Sequence, residues 1–133
     1  MALKIVFPGP LTTVQDFGRL GHQAEGFPEC GACDKYSLAL ANLLAGNGDA
    51  PHMAGLEYTL AGPTVQADDY TLVALAGGVS HPKVNGKDAP MFAPLNTINS
   101  DMRATARAAS VPVVTSSDAP RWRDAISIRS PME

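Results

Sequence analysis

The apolar positions of this chain change period several times. Leu3 to Phe7 (LKIVF) alternates weakly and is partly β-branched, which predicts a short strand ended by Pro8-Gly9-Pro10. Leu11 to Val14 (LTTV) is rich in β-formers and predicts a second strand, whereas Asp16 to Gly31, broken by Gly18, Gly21, Gly26 and Pro28, reads as mostly loop. Leu38, Ala41, Leu44 and Ala45 then fall at helical spacing, with Leu40 and Leu43 beside them. Asp34 stands where an N-cap belongs and Gly46 where a helix stops, with Asn47-Gly48 continuing the turn, so the predicted helix runs over 35–45. After Pro51 the period returns to two. Leu56, Tyr58 and Leu60 alternate with Glu57 and Thr59 and predict a strand. Gly62-Pro63 is read as a turn, Thr64 to Ala67 as a strand, Asp68-Asp69 as a solvated turn and Tyr70 to Ala76 as a buried strand ended by Gly77-Gly78. Asn85-Gly86 is a hairpin signal between Ser80–Val84 and Ala89–Phe92. The expectation is a mainly β domain with one helix near the N-terminus.

Composition narrows the classes. The chain has 133 residues, enough for one domain with a modest core, with 45% apolar and 17% charged residues. A net charge of −3 argues against nucleic-acid and anionic-membrane partners, which recruit basic patches. No apolar run is long enough to cross a bilayer, and MALKIVFPGP does not have the form of a signal peptide, so the expected location is cytoplasmic. Near Ser100 the text changes. All 12 glycines lie at or before Gly86, no lysine follows Lys87, and residues 100–133 carry five arginines against four acids. The expected organisation is therefore a domain over 1–99 and an atypical tail over 100–133 that is disordered or poorly packed, the break pointing to a truncation or a shifted reading frame.

The stretch Pro8 to Asp34, PGPLTTVQDFGRLGHQAEGFPECGACD, is too rich in glycine and polar groups to bury much apolar surface. Long ordered loops of this kind are usually functional. Together with the helix and Leu56-Glu57-Tyr58-Thr59-Leu60-Ala61-Gly62-Pro63, it resembles the family of the 5-oxoprolinase C-type subunit. That family is also called allophanate hydrolase subunit 2 or the biotin-dependent carboxyltransferase family, and it includes the Kip-type antagonist of a histidine-kinase inhibitor. Its pattern is PG-x-x-T-T-x-Q-D-x-G-R-x-G, a turn like G-V-P-x-S-G-A-M-D, a helix ending N-x-L-x-G-N, then L-E-x-x-x-x-G-P. Pro8, Gly9, Thr12, Thr13, Gln15, Asp16, Gly18, Arg19, Gly26, Pro28, Gly31, Asp34, Asn42, Gly46, Asn47, Leu56 and Glu57 are among the matches, over roughly residues 3–95. Two departures stand out. Members of the family are longer, and Cys30 and Cys33 stand where they tend to have Ser and Met.

The resemblance implies a partial cyclophilin-like β-barrel and a hetero-oligomer with the B-type subunit of the same enzyme. It also implies ATP-dependent opening of 5-oxoproline, a small cyclic amide, to glutamate, with Mg accompanying the ATP and the nucleotide held by this chain, its partner or the complex. Relatives in urea-processing enzymes imply the alternative of a biotin-dependent carboxyltransferase domain, and the Kip-type members imply a non-catalytic antagonist.

Gln15, Asp16 and Arg19 are the candidate catalytic residues. An arginine holds carboxylate or phosphate bidentately, and a neighbouring carboxylate positions a metal-bound nucleotide or acts as a base. The competing reading pairs Asp16 with Arg19 and has Gln15 satisfying loop backbone. Asp34 and Glu57 are the candidate substrate-binding residues, against a plain helix cap and a solvent-facing strand position. Cys30-x-x-Cys33 reads as a small-residue replacement. A redox pair would want a thioredoxin-like strand order, and zinc would need His22 and His52 as further ligands, so no metal site is expected. His22 reads as a loop residue and His81, before Pro82, as a strand-end residue.

Overall fold

A computed structural model of the chain describes residues 3–47, 53–67, 70–97, 100–105, 111–116 and 126–128. Gly48, Pro51, His52, the Asp68-Asp69 turn, Arg107, Arg121, Trp122, Arg123 and Arg129 lie outside the described residues. The strands are β1 (Leu3–Phe7), β2 (Thr12–Gln15), β3 (Gly55–Tyr58), β4 (Ala61–Ala67), β5 (Thr71–Leu75), β6 (Lys83–Val84), β7 (Lys87–Asp88), β8 (Pro94–Thr97), β9 (Ser100–Thr105), β10 (Val111–Ser116) and β11 (Ile126–Ile128). The helix α1 covers Lys35–Leu44, and a 3-10 turn covers Gln23–Glu25. The protein is mainly β with one α-helix near its N-terminus among the described residues.

The strands form two sheets, ordered β11-β1-β4-β9-β6-β7 and β2-β3-β10-β5-β8. Each sheet has two end strands, so the described residues make a pair of layers and not one closed barrel. The pairings among them are antiparallel except β1 with β11. Leu3, Ile5, Val65 and Ala67 of the first sheet meet Leu56, Tyr58, Val73, Leu75 and Leu95 of the second in one buried cluster. The period of two in β5 then decides where the helix goes. Val73 and Leu75 join that cluster, while Ala74 and the following Ala76 pack with Leu38, Ala41 and Ala45 of the helix on the other face. Alanine on both sides lets helix and sheet approach closely.

The helix follows its sequence signals. Asp34 accepts a hydrogen bond from the Ser37 N–H at 3.0 Å and from the Ser37 hydroxyl at 2.5 Å. At the far end Ala45 caps, Gly46 N–H bonds the Leu43 carbonyl at 3.0 Å, and Asn47 N–H bonds the Asn42 carbonyl at 2.9 Å, which is a Schellman stop. The hairpin at Asn85-Gly86 is also present, with Lys83 opposite Asp88 and Val84 opposite Lys87, shorter than expected.

Two expectations are corrected. Gly62-Pro63 is inside β4 and does not turn the chain. The turn comes earlier, at Leu60, whose φ is +69°, and the β4–β9 register shifts between Ala61 and Thr64, where Pro63 sits at an irregularity that tolerates a residue without an N–H. In the region read as an unstructured tail, residues 100–105, 111–116 and 126–128 are strands. Val111–Ser116 and Ile126–Ile128 are β-branched islands whose signal is diluted by the Ala, Ser and Arg around them.

Candidate functional site

The loop between β2 and α1 folds back on itself, backbone against backbone. Ala32 N–H bonds the Asp16 carbonyl at 2.8 Å, and Arg19 N–H bonds the Glu29 carbonyl at 2.8 Å. Glycine is required where the two arms touch. A Cβ on Gly18 would lie 2.6 Å from the Cys30 carbonyl oxygen, and one on Gly31 would lie 2.6 Å from the Gly18 nitrogen; both residues have φ above +80°. Residues 20–28 project beyond this neck, with the 3-10 turn at their centre and Leu20 and Phe27 exposed.

At the neck the sequence-selected residues converge. Glu57 on β3 pairs across the sheet with Thr13 on β2, so both stand on one face of the ribbon with Gln15. Gln15 Nε2 donates to the Thr13 hydroxyl at 3.1 Å. The Glu57 carboxylate receives the Cys33 N–H at 3.1 and 3.4 Å, which fastens the second arm of the loop over this face. Asp34 follows immediately and caps α1. Its pKa is lowered, chiefly by the hydrogen bond from the Ser37 hydroxyl and next by that from the Ser37 N–H. Glu29 forms an ion pair with Lys35, tying the same arm to the first helical turn.

Asp16 and Arg19 do not pair with each other. Asp16 Oδ1 receives the Gly18 N–H at 2.7 Å, stabilising the tight turn out of β2. The Arg19 guanidinium is 5.8 Å from the centre of the Phe27 ring, a cation–π contact on the exposed projection. Among the described residues it has no carboxylate partner. Gln15 and Glu57 thus share one face of the β2–β3 ribbon, Asp16 holds the turn that leaves it, Asp34 caps α1 through Ser37, and Arg19 is exposed beside Phe27.

Cys30 and Cys33 are exposed free thiols, and Cys30 has φ +56° beside Gly31. His22 Nδ1 lies 3.3 Å from Glu25 Oε2 across the 3-10 turn, a local exposed contact. No group of three or more His, Cys, Asp or Glu among the described residues is placed to hold a metal ion.

Asn47, which the sequence reads as part of a helix stop, also belongs to a buried polar pair with Asn42. Asn47 Nδ2 donates to Asn42 Oδ1 at 2.8 Å, and Asn42 Nδ2 donates to the Leu38 carbonyl at 3.0 Å. Asn42 is fully buried, so the pair fixes the end of α1 from inside.

Comparison with known proteins places these features in a family. A family model described as "Carboxyltransferase domain, subdomain A and B" matches residues 25–110. The match takes in the second arm of the loop, α1 and β3 to β9. The C-type subunit of the Escherichia coli 5-oxoprolinase is 46% identical over 76 residues, 56% of this chain and 24% of that protein. The urea amidolyase of Lachancea kluyveri is 36% identical over 102 residues, 75% of this chain and 5% of that protein. The crystal structure of Kluyveromyces lactis urea carboxylase superposes with a TM-score of 0.77 at 29% identity, over 86% of this chain and 10% of that one. The chain therefore spans a quarter or less of these relatives. Sequence match and superposition agree, and this chain belongs to the carboxyltransferase domain family, subdomains A and B.

Proposed function

We propose that this chain is part of the C-type subunit of an ATP-dependent 5-oxoprolinase, a cytoplasmic hydrolase that opens 5-oxoproline to glutamate together with a B-type subunit. The observation that carries the reading is the 46% identity to the corresponding Escherichia coli 5-oxoprolinase subunit. The loop geometry supports roles for its residues. Arg19, held over Phe27 and without a carboxylate partner among the described residues, receives the substrate carboxylate or a phosphate through its paired N–H groups. Asp16 binds Gly18 through Oδ1, and its second oxygen accepts a proton or aligns the attacking group. Gln15 completes the trio at the neck. Asp34 and Glu57 border the substrate in addition to holding Ser37 and Cys33.

ATP, with its Mg, is held by the partner or the complex in this reading, and Arg19 is the side chain of this chain that would meet a phosphate there.

The test is ATP turnover by this chain mixed with the B-type subunit, with and without 5-oxoproline. Stimulation by 5-oxoproline, with a raised KM for it in Arg19→Ala and partial recovery in Arg19→Lys, is the expected result. Absence of stimulation sinks the assignment. A second reading is a biotin-dependent carboxyltransferase domain, favoured by the match to urea amidolyase over more of this chain than the oxoprolinase match covers. Turnover that requires a carboxybiotin donor in place of 5-oxoproline identifies that case.

A further inference from the structure

Away from the loop, the segment around the β6–β7 hairpin encloses a groove of about 620 Å³, within the usual range for small-molecule sites. Val79, Pro82, Ala89, Met91 and Phe92 line it with apolar surface, Ser80 lines it as a buried polar residue, and His81 adds an exposed imidazole. The two charges at its rim, Lys83 and Asp88, lie 3.4 Å apart and neutralise each other.

At the buried end of this groove the Ser80 donors meet sulfur and not oxygen. The Ser80 N–H and hydroxyl both reach the Met91 sulfur, at 3.2 and 3.4 Å, and a thioether is a weak acceptor. Tyr58 packs in the core below, and Met91 lies against the same cluster. The Tyr58 side chain is fully buried and its hydroxyl, beside Ser80, makes no hydrogen bond of ordinary geometry. Burial also raises the Tyr58 pKa, so the phenol keeps its proton and remains a donor. An unsatisfied buried hydroxyl carries a desolvation cost that a native fold seldom accepts without use.

We propose that this groove is a binding site for a small neutral molecule with an apolar body and a carbonyl oxygen. The oxygen replaces the Met91 sulfur as the acceptor for Ser80 and Tyr58, and the body lies against Val79, Pro82 and Phe92. Met91 is unbranched and flexible, so it swings aside at low cost. The paired rim charges favour a neutral molecule over an ion. The site is independent of the activity proposed above and uses none of its residues.

Cyclopentanone is a suitable probe, and tetrahydrothiophene, a ring of similar size with a poor acceptor, is its control. Binding is read from the methyl NMR signal of Met91 in the full chain, with Met53 as an internal reference. The expected result is a saturable shift at Met91 with cyclopentanone, weaker binding of tetrahydrothiophene, and a roughly three- to tenfold loss of cyclopentanone affinity in Tyr58→Phe and Ser80→Ala (about one hydrogen bond). Absence of a shift at Met91 overturns the proposal. Equal binding of both rings, unaffected by Tyr58→Phe, also overturns it, leaving an apolar groove with no oxygen site.

Discussion

At the scale of single residues, Asp34 and Gly31 show two ways in which side-chain choice determines the loop and helix. Asp34 holds the first turn of α1 through Ser37, and its lowered pKa states that the folded protein prefers the carboxylate. Because the folded value lies below the unfolded one, the cap's stabilisation is present above about pH 4 and is lost as pH falls through the folded value. Asp34→Ala is expected to cost about 1 kcal/mol at pH 7. Urea unfolding repeated at pH 3 checks the linkage, since the cost of the substitution should shrink there, whereas Asp34→Asn should show no such acid-side change. Gly31 acts through space. A methyl there meets the Gly18 nitrogen at 2.6 Å and the Asp16 carbonyl oxygen at 2.8 Å, in a backbone conformation that disfavours any Cβ. Gly31→Ala is expected to destabilise by about 2 kcal/mol or more, through strain and the forced parting of the two arms. Amide exchange at Ala32 and Arg19, whose N–H groups bridge the arms, should accelerate more than exchange in β5. The Asp34 cap was legible because its partner is three residues away. The Glu57 bond to Cys33 was not, since it joins residues 24 apart and only the folded ribbon brings them together.

At the scale of elements, α1 was the most legible part of the chain. Its cap, its 3.6-residue apolar spacing and its glycine stop are all local, and they agree with one another. The strands were legible where they alternate, as in β3, or run continuously apolar, as in β5, and misread at Gly62-Pro63, where a strand irregularity has the same residue chemistry as a turn. What local pattern did not reveal is the polar lock at the helix end. The Asn42 amide is buried and satisfied through Leu38 and Asn47, so removal of its second partner leaves a buried carbonyl oxygen without that donor. Asn47→Ala is expected to cost about 1–3 kcal/mol, with the loss confined to the fold and the ribbon face of the loop intact. Denaturant melts give the magnitude. Retention of slow exchange at the Cys33 amide, which reports the Glu57 bond, gives the location. Equal loss at both places would mean that helix end and loop unfold as one unit.

At the scale of the whole molecule, the question is what residues 100–133 do for the two sheets. Their glycine-free, arginine-rich text predicted a tail, because composition averages over the short β-branched runs that make the strands. In the structure β9 lies between β4 and β6, and β10 lies between β3 and β5. Both are interior strands, so they supply pairings that local sequence cannot supply. The family model, too, runs to residue 110, past the composition break. A chain without residues 100–133 loses both β9 and β11, so the first sheet falls into a β1–β4 pair and an isolated β6–β7 hairpin, and neither is stable alone in water. Without β10 the second sheet falls into β2–β3 and β5–β8, and α1 loses one of the two strands beneath it. Leu56, Tyr58, Val73 and Leu75 would then sit on strands with unpaired edges, exposing backbone groups and apolar surface together. A chain ended at residue 99 is therefore expected to lose its cooperative thermal transition, while the full chain melts in one step. Circular dichroism melts of the two chains, run side by side at several concentrations, decide the matter. A sharp, concentration-independent transition in the 1–99 chain would show that the core closes without β9 and β10. Loss of the transition, with aggregation that rises with concentration, would show that the arginine-rich segment is an integral part of the fold that positions the loop.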